Sequence, residues 1–168
     1  QLGGGKEMIE QAQVGALQLA RISVGPMGPI VPELNVFNLP FMFRDDAHME
    51  KVIDGPIGAE MLKKLSDSSA NLIGLCWMNA GTRNVYSDKP VTKPADLKGM
   101  KIRMMGNPLF VETMNAMGGN GVAMGFNELY SAMQTGVVDG AENNPPTYLT
   151  QNHYQITKFY NLTGHLII

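Results

Sequence analysis

At 168 residues, 44% hydrophobic and 17% charged, the chain has a globular composition in the single-domain size range, with no disordered or fibrous bias. Its formal charge of −2, without any Lys/Arg-rich stretch interleaved with aromatics, excludes nucleic acid as an expected partner. The single cysteine, Cys76 in NLIGLCW, excludes an intramolecular disulfide and leaves the compartment open.

In chain order, Met8, Ile9, Ala12 and Gly15 or Ala16 fall at helical spacing and predict a helix from Lys6 to Leu17, with Glu7 and Glu10 near its positive end. A strand is expected from Leu19 to Val24. The segment GPMGPIVPE, rich in proline and glycine, predicts an irregular connector along a cleft. Asp45 and Asp46 read as the cap of a helix running to about Ile53, and Asp54-Gly55-Pro56 separates it from a second helix reaching Leu65. Asn71 to Met78 is a short apolar run with polar ends, which predicts a buried strand with Cys76 packed in the core. The composition changes at Asn79-Ala80-Gly81-Thr82, so a lobe boundary is placed there, giving partial lobes of residues 1–80 and 81–168.

After that boundary strands and helices alternate at short spacing: Arg83–Tyr86, Lys101–Met105, Pro108–Met117, Gly121–Met124, Asn127–Gln134 and Val137–Ala141. The pattern is α/β. The final ITKFYNLTGHLII reads as strand to its last residue. No apolar run reaches the length of a membrane span, and any export signal is expected to lie outside this sequence or to have been removed.

Met100, Ile102 and Met104 alternate with Lys101 and Arg103, so Arg103 leaves the face opposite the apolar one. Arg83 follows a glycine at a predicted strand start. Two converging arginines suit a carboxylate, because a planar guanidinium donates two parallel hydrogen bonds that lysine cannot reproduce. An arginine on a solvated strand face is equally compatible with the pattern. Phe126 is either a core residue at the head of a helix or one wall of a pocket, to which Tyr86, Tyr130 and Tyr148 would add hydroxyls. Asn143 and Asn144 are either turn formers before Pro145-Pro146 or amides offering donor and acceptor to a hydroxylated ligand.

His48, His153 and His165 are scattered and form no HExxH or Cys/His grouping, so neither a metal nor another cofactor is expected. No GxSxG elbow occurs, and the GGNG at 118–121 is not a phosphate cradle. The Asn161-Leu162-Thr163 glycosylation match lies in a predicted strand and carries no weight.

The blocks QLGGGKEMIEQ, VPELNVFNLPFMFRDDAH, GTRNVYSDKPVTKPADLKGMKIRMM, MGFNELYSAMQTGVVDGAENN and KFYNLTGH occur in an order and at spacings that resemble the substrate-binding proteins of tripartite ATP-independent periplasmic (TRAP) transporters. The resemblance implies an α/β two-lobed clamshell, here truncated at both ends to about the middle half of a member. It also implies a periplasmic receptor that closes on an organic acid and hands it to TRAP membrane permease subunits, without catalysis. By the same resemblance Arg103 is the carboxylate-binding arginine, Arg83 a second arginine facing the ligand, Phe126 the aromatic wall and Asn143 the polar residue after the acidic motif. Members usually carry one asparagine before proline, so Asn143 and Asn144 both remain candidates, and Glu142 is expected to orient the arginines or local donors. ENNPPTY followed by His153 is more similar to members taking sugar acids such as uronates. The rival readings are an α/β enzyme using Glu142 as general acid or base near Arg103, and an effector-sensing domain of a regulator.

Overall fold

A computed structural model describes residues 3–168. The first part of the chain is helical: α1 (Gly5–Gln13), α2 (Val24–Met27), a 3₁₀ helix at Pro32–Asn38, α3 (Asp46–Ile53) and α4 (Pro56–Asp67). Ile9, Met27, Val31 and Leu34 form its core, with Met61, Leu65, Leu72 and Trp77 packed against them. The expected cap is present, since the Asp45 carboxylate accepts from the His48 backbone N–H at 2.7 Å. Pro56 opens α4, at a position where its missing N–H leaves no bond unmade.

Several expectations for this part are corrected. α1 stops at Gln13 instead of Leu17, because Gly15 turns the chain through the left-handed region at φ 77°. Residues 19–23 form no strand; Leu19 lies exposed, and no strand among the described residues offers them a ladder. GPMGPIVPE is more regular than expected: Pro26 lies within α2 and Pro32 starts the 3₁₀ helix, both in first turns that need no proline N–H.

Residues 71–78 form no strand and are not buried: Asn71 turns the chain through the left-handed region at φ 55°, and the run after it joins no ladder among the described residues. Leu72 and Trp77 pack toward the helical core, and the Trp77 indole donates to the Gly58 carbonyl at 2.9 Å. Ile73, Leu75 and Met78 are exposed, and so is Cys76, which therefore does not fill a core. The expected buried strand is therefore absent, because an apolar run becomes one only beside other strands and under a covering layer, and neither flanks it among the described residues.

The second part is a five-stranded sheet built from β1 (Thr82–Ser87), β2 (Lys101–Met104), β3 (Asn120–Ala123), β4 (Gly140–Asn143) and β5 (Phe159–Ile167). The strand order is β3-β2-β4-β1-β5; β2 runs parallel to β3 and β4, and β1 antiparallel to β4 and β5. Between the strands lie α5 (Pro108–Ala116), α6 (Leu129–Gln134) and α7 (Pro145–Thr150). The α/β class follows as expected. β4 begins at Gly140 instead of Val137, because Val137-Val138 close the turn after α6 through bonds from both N–H groups to the Ala132 carbonyl. α6 begins at Leu129, after a 3₁₀ turn over Phe126–Glu128, and β5 begins only at Phe159.

Two apolar clusters sandwich the sheet. Val85, Ile102, Met104 and Leu166 meet Phe110 and Met114 of α5, whereas Tyr86 and Ala141 meet Leu129, Ala132 and Met133 of α6. Arg103 stands opposite Ala141, whose other neighbour is Tyr86, so it enters the row lined by the second cluster. The chain segments joining the two parts run side by side: Ala80 N–H donates to the Ile168 carbonyl at 2.7 Å, and Phe41 N–H to that of His165 at 2.9 Å. Among the described residues no helix is long and apolar enough to cross a membrane.

Candidate functional site

Arg103 is carried by β2, an interior strand of the sheet between β3 and β4, and is 3% exposed. Its Nε donates to the Met124 carbonyl at 2.9 Å, and its guanidinium carbon lies 5.7 Å from the centre of the Phe126 ring. That places the ring within cation–π range. The outer nitrogens of the fork have no protein acceptor, and the group forms no ion pair among the described residues. Burial, with some help from the Arg83 charge, holds its pKa down at about 10.

Arg83 sits differently. Its Nε and Nη2 meet the two carboxylate oxygens of Glu142 at 2.5 and 2.8 Å, Nη2 also donates to the Glu142 carbonyl at 2.9 Å, and Nη1 donates to Asn143 Oδ1 at 3.1 Å. A bulge in the β1–β5 pairing between Arg83 and Val85 accompanies this wrap toward β4. Both partners are buried. Burial opposes the Glu142 charge, but the Arg83 guanidinium and the neighbouring His165 outweigh it and hold the carboxyl well below its usual range. For Arg83, burial works against the charge and Glu142 reverses the effect, so its pKa is raised.

The charge count decides the character of the place. Arg83 and Glu142 neutralise one another, leaving Arg103 as a buried, unpaired cation. An unpaired buried charge is costly, and an anion seated on the open side of its fork would relieve that cost. The two arginines thus differ: one has its fork filled by the protein, the other does not.

The adjacent asparagines also divide. Asn144 is committed at both ends, its Oδ1 accepting from Thr147 N–H at 2.9 Å as the cap of α7 and its Nδ2 donating to the Ala80 carbonyl at 2.6 Å. Asn143 uses only its oxygen, accepting from Arg83 and from the Asn144 N–H at 2.9 Å; its amide nitrogen has no partner among the described residues.

Tyr86, Tyr130, Tyr148 and Tyr160 spend their hydroxyls within the protein. Tyr86 shares a 2.7 Å hydrogen bond with His153 Nδ1, Tyr148 donates to the Thr157 carbonyl at 2.9 Å, and Tyr130 donates to Gln155 at 3.2 Å. Tyr86, Tyr148 and Tyr160 pack ring against ring, with Tyr160 donating to the Asn143 carbonyl at 2.8 Å. Sequence reasoning gave no part to Tyr160 or His165. Tyr160 is reached only through the β1–β5 register that sets it opposite Tyr86, and His165 only through its 3.6 Å approach to Glu142. His153 bridges Tyr86 and Phe126; burial and then the Arg103 charge lower its pKa to about 4.

No group of three His, Cys, Asp or Glu side chains among the described residues is placed to hold a metal ion. The arrangement fits an anion bearing further hydrogen-bonding groups, held by a guanidinium and an amide over an aromatic ring.

The family model of the bacterial extracellular solute-binding proteins, family 7, matches residues 1–168. A solute-binding protein of Chromohalobacter salexigens is 45% identical over 99% of the chain, which covers 49% of that relative. The chain thus spans about half the length of the curated relatives it matches. A crystal structure of a TRAP periplasmic solute-binding protein from Pseudomonas putida F1 with bound D-glucuronate is 61% identical and superposes with a TM-score of 0.97, over 99% of this chain and 54% of that one. A TRAP periplasmic solute-binding protein from Citrobacter koseri, 51% identical, superposes over 99% of this chain and 56% of its own. The TM-score is 0.96 for its D-glucuronate-bound structure and 0.83 for its apo, open one. With the family model spanning the chain and the fold superposing on these relatives, the chain belongs to the bacterial extracellular solute-binding proteins, family 7.

Proposed function

We propose that the protein is the periplasmic receptor of a TRAP transporter, taking a sugar acid of the uronate class between two lobes, residues 1–80 and 81–168, and delivering it to membrane permease subunits. The carrying observation is Arg103: a guanidinium 3% exposed, with no ionic partner, set against Phe126. The carboxylate of the ligand fills the open side of that fork, and the free amide nitrogen of Asn143 donates to a ligand oxygen. Arg83 shapes the site from behind through Glu142 and Asn143, and Tyr148 supports the wall through its ring. The D-glucuronate held by the neighbours from P. putida and C. koseri supports the uronate assignment.

Catalysis by Glu142 is disfavoured, because a carboxylate chelated by Arg83 and kept ionised by it has no proton to give and little basicity to use. The effector-sensing alternative shares the pocket, and no observation favours it.

Calorimetric titration tests the proposal. D-glucuronate is expected to bind at least about a hundredfold more tightly than D-glucose, which has the same ring without the carboxylate. Equal affinities for the two sugars, or turnover of D-glucuronate, would overturn it.

A further inference from the structure

Asn107, three residues after the end of β2, is 2% exposed and caps α5 by accepting from Leu109 N–H at 3.0 Å. Its amide nitrogen reaches the other part of the chain, donating to the Gly25 carbonyl at 2.9 Å and to Asn35 Oδ1 at 2.8 Å. Asn35 Oδ1 also accepts from Asn38 at 3.2 Å, so three side-chain amides join residues 24–38 to the loop that follows Arg103. The backbones come close here: a β-carbon on Gly25 would lie 2.7 Å from Phe110 Cε2 and 3.0 Å from Met105 Cε. Met105 and Phe110 belong to the apolar cluster of the sheet, whereas Asn35 lies in the 3₁₀ helix of the helical part.

We propose that Asn35 and Asn107 are positioning residues for ligand capture: they latch residues 24–38 onto the β2–α5 loop when the lobes close, and so hold Arg103 over the bound acid. The proposal rests on the two-lobe capture reading above. The better superposition on the D-glucuronate-bound C. koseri structure than on its open one supports placing these contacts in the closed form. Neither residue needs to touch the ligand. The hydrogen bonds of the amides form after encounter, so the latch acts on release more than on capture.

Asn35→Ala removes the shared acceptor from a partly buried position and spares the α5 cap. Stopped-flow kinetics with D-glucuronate should show release about tenfold faster, with association unchanged within about twofold; tenfold corresponds to about 1.4 kcal/mol. A distance measurement between spin labels at Lys63→Cys and Glu112→Cys, in a Cys76→Ser background, should show Asn35→Ala losing part of the short-distance population. A mere folding defect would lower the midpoint of unfolding without moving either readout. Identical release rates and distance distributions in parent and variant would overturn the latch. The ligand-free distributions keep this test separate from the uronate assignment: if the parent binds no D-glucuronate the assignment fails, while the distances still decide the latch.

Discussion

The Arg83 side chain wraps the Glu142 carboxylate with Nε and Nη2 while Nη1 rests on Asn143, so one of the site's two arginines is neutralised inside the protein. Removing one partner of such a buried pair leaves the other charge stranded, at about 3–5 kcal/mol. Glu142→Gln and Arg83→Met are each expected to lose stability of that order in urea denaturation. The double variant should lose much less than the sum, with a coupling above about 2 kcal/mol. Additive losses would show that the pair contributes nothing as a unit.

Arg103 should behave oppositely. Its cation is buried without an ionic partner, which is why burial holds its pKa at about 10. Arg103→Met preserves the length of the stem and removes the charge. The ligand-free variant is expected to unfold at the same or a higher urea concentration than the parent, while D-glucuronate affinity falls about a hundredfold or more. A variant that is markedly destabilised yet binds normally would reverse the role assigned to this residue.

The two asparagines are separable by experiment. Asn143→Asp keeps the acceptor for Arg83, replaces the free amide nitrogen with oxygen and adds a charge of the ligand's own sign. Affinity is expected to drop at least tenfold with the fold intact. Asn144→Ala should instead cost about 1 kcal/mol or somewhat more by uncapping α7, with affinity nearly unchanged. The swapped pattern, stability falling with Asn143 and affinity with Asn144, would assign the ligand contact to the other amide.

The pH dependence of stability carries a signature of His153. Its pKa is held at about 4 in the fold against 6.5 for the free side chain, so the unfolded chain takes up this proton first. Its contribution is therefore full above about pH 6.5 and is lost as the pH falls toward 4, amounting to roughly 3 kcal/mol. Comparing urea midpoints at pH 7 and pH 4.5, the parent should lose roughly 2–3 kcal/mol more than His153→Gln. Equal losses would show that the imidazole is not held neutral. Glu142, whose folded pKa is lowered, contributes stability above the normal carboxylate range and loses it only in stronger acid, and both proteins share that loss.

What the sequence determined by itself was local. The alternation around Arg103 set its strand and its face, Asp45 set the start of α3, and the ordered blocks from QLGGGKEMIEQ to KFYNLTGH pointed to the family, because caps and period-two patterns are written in neighbouring residues. The strands expected at Leu19–Val24 and Asn71–Met78 did not form, since an apolar run becomes a strand only when another strand lies beside it. Tertiary structure alone decided how the site's parts divide. Arg83 and Glu142 are 59 positions apart, and Asn144 and Ala80 are 64 apart. Only the packed sheet determines which arginine is filled from within and which amide is left free.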